Sequence, residues 1–119
     1  MKNKKLLVLI PIITLSTFTH GKMTKDNAIE EICGSISEYS ESVMQSRQLG
    51  GKMVDSIKLI NQSGAAEPIK NFHKSIVFEA YKEPKWATEK NQKNAVTEFS
   101  NKMYLVCNES FRNELKDLD

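Results

Sequence analysis

The stretch Asn94 to Phe111, NAVTEFSNKMYLVCNESF, decides the fold. Its apolar members, Ala95, Val96, Phe99, Met103, Val106, Cys107 and Phe111, recur at intervals of three and four. That spacing puts them on one side of an α-helix and is incompatible with the alternation of a strand. Thr88 supplies an oxygen side chain to cap the start, so the pattern predicts a helix of about six turns. Working back along the chain, Ile29, Ile32, Cys33, Ile36, Tyr39, Val43 and Met44 repeat the same spacing, while Glu30, Glu31, Glu38 and Glu41 turn away. Thr24 or Asp26 caps this first helix, and Gly50-Gly51 ends it, giving a span of roughly 26 to 48.

Two shorter helices are expected between these. Met53, Val54, Ile57 and Ile60 mark one, which closes at Asn61-Gln62-Ser63-Gly64, and residues 61 to 68, with Gly64 and Pro68, form the connecting loop. Ile69, Phe72, Ile76, Val77 and Ala80 mark the other, which ends before Pro84. No segment alternates in strand fashion, so the class is all-α. Short connections favour antiparallel neighbours, hence a small up-down-up-down four-helix bundle.

The ends of the chain carry different information. Lys2, Lys4 and Lys5 precede thirteen uncharged residues, Leu6 to Phe18, interrupted by Pro11, and Thr19-His20-Gly21 places small residues before a break. This is the layout of a secretory signal peptide, residues 1–21, with a single helical domain at 22–119. The apolar run is shorter than the roughly 20 residues needed to cross a bilayer, so no stable membrane span is expected after cleavage. The destination is periplasmic or secreted, and there the two cysteines of the chain, Cys33 and Cys107, read as one disulfide. A pair of buried free thiols and an intermolecular bridge are the alternatives. In an up-down-up-down bundle both cysteines fall at the same end, one near the start of the first helix and one near the end of the fourth. The bridge would close a loop worth on the order of 4 kcal/mol of chain entropy.

Charge excludes one class of partner. The whole chain has a formal charge of +2, but removing the three leader lysines leaves fourteen bases against fifteen acids, a net of −1. An almost neutral domain with interspersed charges has no electrostatic footprint for phosphates, so no nucleic-acid partner is expected. Catalytic patterns are absent too. His73 has no serine or cysteine partner at a motif spacing, and one histidine without a CxxC pair gives no metal site. No cofactor is expected, and an enzyme is not. Glu98 lies near the apolar stripe, with Lys102 one turn on as its ordinary surface partner and Arg47 as the alternative.

What remains is the bundle end remote from the cysteines. The topology gathers there Arg47 and Gln48 from the end of the first helix, Tyr81 from the end of the third, and Trp86 and Gln92 from the approach to the fourth. Arginine, tyrosine and tryptophan dominate binding hot spots, so Arg47, Gln48, Tyr81 and Trp86 are the candidate binding residues. The alternative is that Gly50-Gly51 and Pro84 are helix punctuation and Trp86 is a lid on the core.

The same residues carry a resemblance. Cys33, then Met44-Gln45-Ser46-Arg47-Gln48-Leu49-Gly50, then Ala80-Tyr81-Lys82-Glu83-Pro84, then Glu98 to Cys107 form the pattern Cys, MxxRQxG, AYxxP, EFxNxxYxxC over about residues 30 to 107. The chain thereby resembles small exported helical proteins of bacteria and their prophages, a family with no assigned activity. The resemblance implies export and a helical fold, and it singles out Tyr104 beside Arg47, Gln48 and Tyr81. Two functions follow as expectations. The first is a periplasmic, non-enzymatic protein-binding domain, such as an inhibitor or immunity protein against a toxin, a cell-wall hydrolase or a phage. The second is a periplasmic stress chaperone or assembly factor that opens when its acids protonate.

Overall fold

A computed structural model describes residues 21 and 23–116; residues 1–21, read above as a signal peptide, lie outside the described residues except for Gly21. The described chain forms four helices, α1 (Lys25–Gln48), α2 (Met53–Gln62), α3 (Glu67–Lys82) and α4 (Glu89–Lys116), with no strand. They make an all-α up-down-up-down bundle. α4 runs along α1, and α3 packs on both α1 and α2.

Each helix begins and ends where its residues dictate. The Thr24 hydroxyl accepts from the Asn27 amide at 3.2 Å and caps α1, and the Thr88 hydroxyl does the same for the Asn91 amide at 3.3 Å ahead of α4. α1 stops in a Schellman turn: the Gly51 amide donates to the Ser46 carbonyl at 2.8 Å and the Gly50 amide to Arg47 at 3.1 Å. Gly50 takes φ +88°, a conformation open to glycine. One expected boundary shifts. Pro68 does not lie in a loop running from 61 to 68; it stands in the first turn of α3, where its missing N–H would have found no helical partner anyway.

The helices are unequal. At 1.5 Å per residue, α1 and α4 are about 36 and 42 Å long, whereas α2 and α3 reach only about 15 and 24 Å. The hydrophobic interior divides accordingly. Val43, Met44, Ile60, Ile76, Val77, Ala80, Phe99 and Met103, drawn from all four helices, make the main core. Ile29, Cys33 and Cys107 make a second cluster from α1 and α4 alone, flanked by Ile36, Tyr104, Phe111 and Leu115. The Cys33–Cys107 disulfide, with Cα atoms 5.6 Å apart, sits inside that second cluster. It joins the two long helices where their packing has the fewest other residues to rely on.

Several residues of the helical repeat lie outside the core. Ile32, Met53, Val54, Ile69, Phe72 and Val106 follow the helical repeat but are exposed. Two short helices cannot cover the full stripe of two long ones, which leaves Ile32 and Val106 in the open, and of the α2 residues only Ile60 is buried. Glu98 is also not paired with Lys102. The Lys102 ammonium lies 3.7 Å from both Glu79 and Glu83, and so it ties α4 to α3.

Candidate functional site

The end remote from the disulfide brings together all four residues expected there, and the sequence accounts for how. α1 and α3 both stop at this end, and the segment from Glu83 to Thr88 must cross it to reach α4. Gln48, in the last turn of α1, is 2% exposed. Its Nε2 donates to the Pro84 carbonyl at 2.8 Å and contacts the Met44 sulfur at 3.3 Å. Its Oε1 accepts the Trp86 amide at 2.8 Å. One buried side chain thus serves a carbonyl and an amide in the crossing segment, neither of which belongs to a helix. Gln92 reaches back from α4 and donates to the Trp86 carbonyl at 2.8 Å, so Trp86 is held from both sides of its own backbone.

Arg47 completes the clamp. Its Nε and Nη2 donate to the Glu83 carbonyl at 3.4 and 3.3 Å, and its guanidinium lies 5.0 Å from the centre of the Tyr81 ring, a cation–π arrangement. The Tyr81 hydroxyl donates to the Gly51 carbonyl and so fixes the α1–α2 turn against α3. The charge of Arg47 is not matched by a carboxylate in any ion pair of the described residues, nor are those of Lys52 and Lys85 close by. The end therefore carries three cations without a carboxylate partner in the ion pairs of the described residues.

The four candidates do not play equivalent parts. Gln48 is buried with its carboxamide engaged inside the fold. Arg47 and Tyr81 are half-buried and hold the crossing segment in place. Trp86, 42% exposed, faces outward, and so does Leu49 at 81%, which the sequence pattern did not single out. Tyr104 lies at the opposite end, against the disulfide cluster. His73 is accounted for by the core: its ring stacks on Tyr39 with centroids 4.2 Å apart, and burial raises the Tyr39 hydroxyl above its usual pKa. Among the described residues, no group of three or more His, Cys, Asp or Glu is placed to hold a metal ion, and no helix is long and apolar enough to cross a membrane.

Two recesses flank the Trp86 segment. One is an open trough of about 570 Å³ between α1 and α4, lined by Gln45, Leu49, Gln92, Lys93 and Val96 among others. Its rim carries the Glu89–Lys93 ion pair at 2.8 Å, which lowers the Glu89 pKa and raises that of Lys93. The other, about 210 Å³, lies between Trp86 and one face of α4 formed by Asn91, Asn94, Ala95 and Glu98. The sequence did contain a signal for it: three polar residues recurring every three or four positions just after the only tryptophan. No family model, no curated protein and no solved structure matches the chain.

Proposed function

We propose that this protein is an exported, non-enzymatic binding domain that docks a protein partner through the end carrying Arg47, Gln48, Tyr81 and Trp86, in the manner of an inhibitor or immunity protein. The observation that carries this reading is the clamp. Gln48, Arg47, Tyr81 and Gln92 immobilise the two connectors at this end, so Trp86 and Leu49 are presented on a surface with little conformational freedom left to lose. Preorganisation of that kind lowers the entropic cost of association. Arg47, Lys52 and Lys85 have no carboxylate partner in the ion pairs of the described residues, which fits a partner with an acidic face. Export is supported by the basic and apolar leader and by the Cys33–Cys107 bridge, a bond at home in oxidising compartments. The resemblance to small exported proteins of bacteria and prophages agrees with this reading.

The chaperone alternative needs acids on whose charge the fold depends. None of the described carboxylates is buried, which leaves little for acid to trigger.

The test starts with the full chain expressed in a bacterial host and recovered from the periplasmic fraction. A partner cross-linked to it there is purified and titrated calorimetrically against wild type, Leu49→Asp and Lys52→Glu/Lys85→Glu. Binding is expected to weaken at least tenfold in both variants and to fall with added salt, while helicity and Tm hold. Retention of the chain in the cytosol with reduced cysteines overturns the export part. Undiminished binding by both variants overturns the docking end.

A further inference from the structure

We propose that the recess between Trp86 and the Asn91–Asn94–Glu98 face of α4 is a binding site for a single sugar ring, a hexose or N-acetylhexosamine unit. The recess shares Trp86 with the proposed docking end, but the inference does not depend on that reading. The first support is the state of the polar groups. Lys102, the natural partner of Glu98 one turn away, is drawn off to Glu79 on α3 and Glu83 just after it. The Glu98 carboxylate is left without an ion pair or hydrogen bond among the described residues, and so are the side-chain amides of Asn91 and Asn94.

The second support is placement. Residues 91, 94, 95 and 98 follow the three-four spacing of one helix face, so their side chains point into the same space. Ala95, the small member, leaves the floor low, and Trp86 forms the wall. The backbone that carries the indole is held there, because the Trp86 amide is bonded to Gln48 Oε1 and its carbonyl to Gln92 Nε2, each at 2.8 Å.

The third support is the match of chemistry and size. A pyranose ring has an apolar C–H face, which stacks on an aromatic plane, and an edge of hydroxyls that each donate and accept. Two carboxamides provide donors and acceptors, and a carboxylate adds strong acceptors. An ammonium ligand would use Trp86 and Glu98 but would leave the donor groups of both asparagines idle. The recess of about 210 Å³ lies below the range of roughly 300–1,000 Å³ of ordinary small-molecule sites. That is room for one ring and less than a drug-sized ligand occupies.

Because Trp86 is the only tryptophan in the chain, its fluorescence reports this recess directly. Titration of the purified protein with glucose, galactose and N-acetylglucosamine is expected to give a saturable change in emission with a Kd in the millimolar range for at least one sugar. Asn94→Ala and Glu98→Ala, both on exposed helix positions, are expected to weaken that binding at least tenfold with circular dichroism unchanged. A chitin oligosaccharide beside the free monosaccharide distinguishes a glycan-chain end from a soluble sugar as the source. No saturable response to any of the sugars overturns the proposal. So does a response equally strong in both variants, or one produced by tetramethylammonium and not by sugars.

Discussion

Replacing Gln48 by alanine tests the clamp at its centre. The side chain is 2% exposed, and its two polar atoms satisfy the Pro84 carbonyl and the Trp86 amide, both at 2.8 Å. In the variant each of those backbone groups loses its partner. Leaving a buried donor or acceptor unsatisfied costs about 1–3 kcal/mol, and because the crossing segment is only partly buried the lower value applies to each, about 2 kcal/mol in all. The space vacated beside Met44 adds about 1 kcal/mol. The expected loss is therefore about 3 kcal/mol, a large fraction of the stability of a small domain and a fall in Tm of roughly 12–24 °C. Urea denaturation followed at 222 nm measures the first quantity and a thermal scan the second. Trp86 emission supplies an independent local readout, since release of the crossing segment frees the indole while the helices persist. Gln48→Glu sharpens the test: its oxygens keep an acceptor for the Trp86 amide but turn the other against the Pro84 carbonyl. That variant is expected to be at least as unstable as alanine at pH 7 and to recover on acidification, when the carboxyl regains a proton to donate. A loss below about 0.5 kcal/mol for Gln48→Ala, the size of an ordinary surface substitution, with unchanged Trp86 emission would refute the reasoning.

Four other outcomes follow from the same geometry. Cys33→Ser/Cys107→Ser is expected to cost on the order of 4 kcal/mol, and hydrogen exchange is expected to show protection lost first in residues 25–36 and 104–115 while the four-helix core persists. Gly50→Ala is expected to lose about 1 kcal/mol from its φ of +88°. Gly51→Ala should lose more in the same urea titration, because its Cβ would stand 2.9 Å from the Ser46 carbonyl oxygen and closer still to the Ser46 hydroxyl. Glu79 has its pKa lowered chiefly by its hydrogen bond from Lys82, with Lys102 contributing. A carboxylate so shifted stabilises the fold above the ordinary glutamate pKa, and the contribution is lost as pH falls through the lowered value. Being solvent-screened, it is worth less than about 1 kcal/mol. A stability profile from pH 7 to 3 is thus expected to decline gently, less so in Glu79→Gln.

Much of this was readable from residue order. The spacing through Ala95, Phe99, Met103 and Cys107 and its counterpart through Ile29, Cys33, Ile36 and Val43 determine two long helices, because only a helix turns every third or fourth residue to one side. Thr24, Thr88 and Gly50 determine where they begin or end by local hydrogen bonding and backbone conformation. The pairing of Cys33 with Cys107 follows from there being only two cysteines, placed where an up-down-up-down path returns to the same end. The same path brings Arg47, Gln48, Tyr81 and Trp86 together.

Only the tertiary structure decided what those residues do there. Periodicity ranks a face but does not say how far a neighbouring helix extends, so it could not tell that Ile32 and Val106 emerge beyond the cover of α2 and α3. Local spacing also pairs Glu98 with Lys102, whereas the packed fold offers Lys102 two carboxylates across the α3–α4 gap and leaves Glu98 free beside Trp86. Nor does a glutamine in a helix's last turn announce that it will be buried. Gln48 becomes the hub because the non-helical backbone at Pro84 and Trp86 crosses directly over it, and buried carbonyls and amides must find partners wherever the chain's path places them.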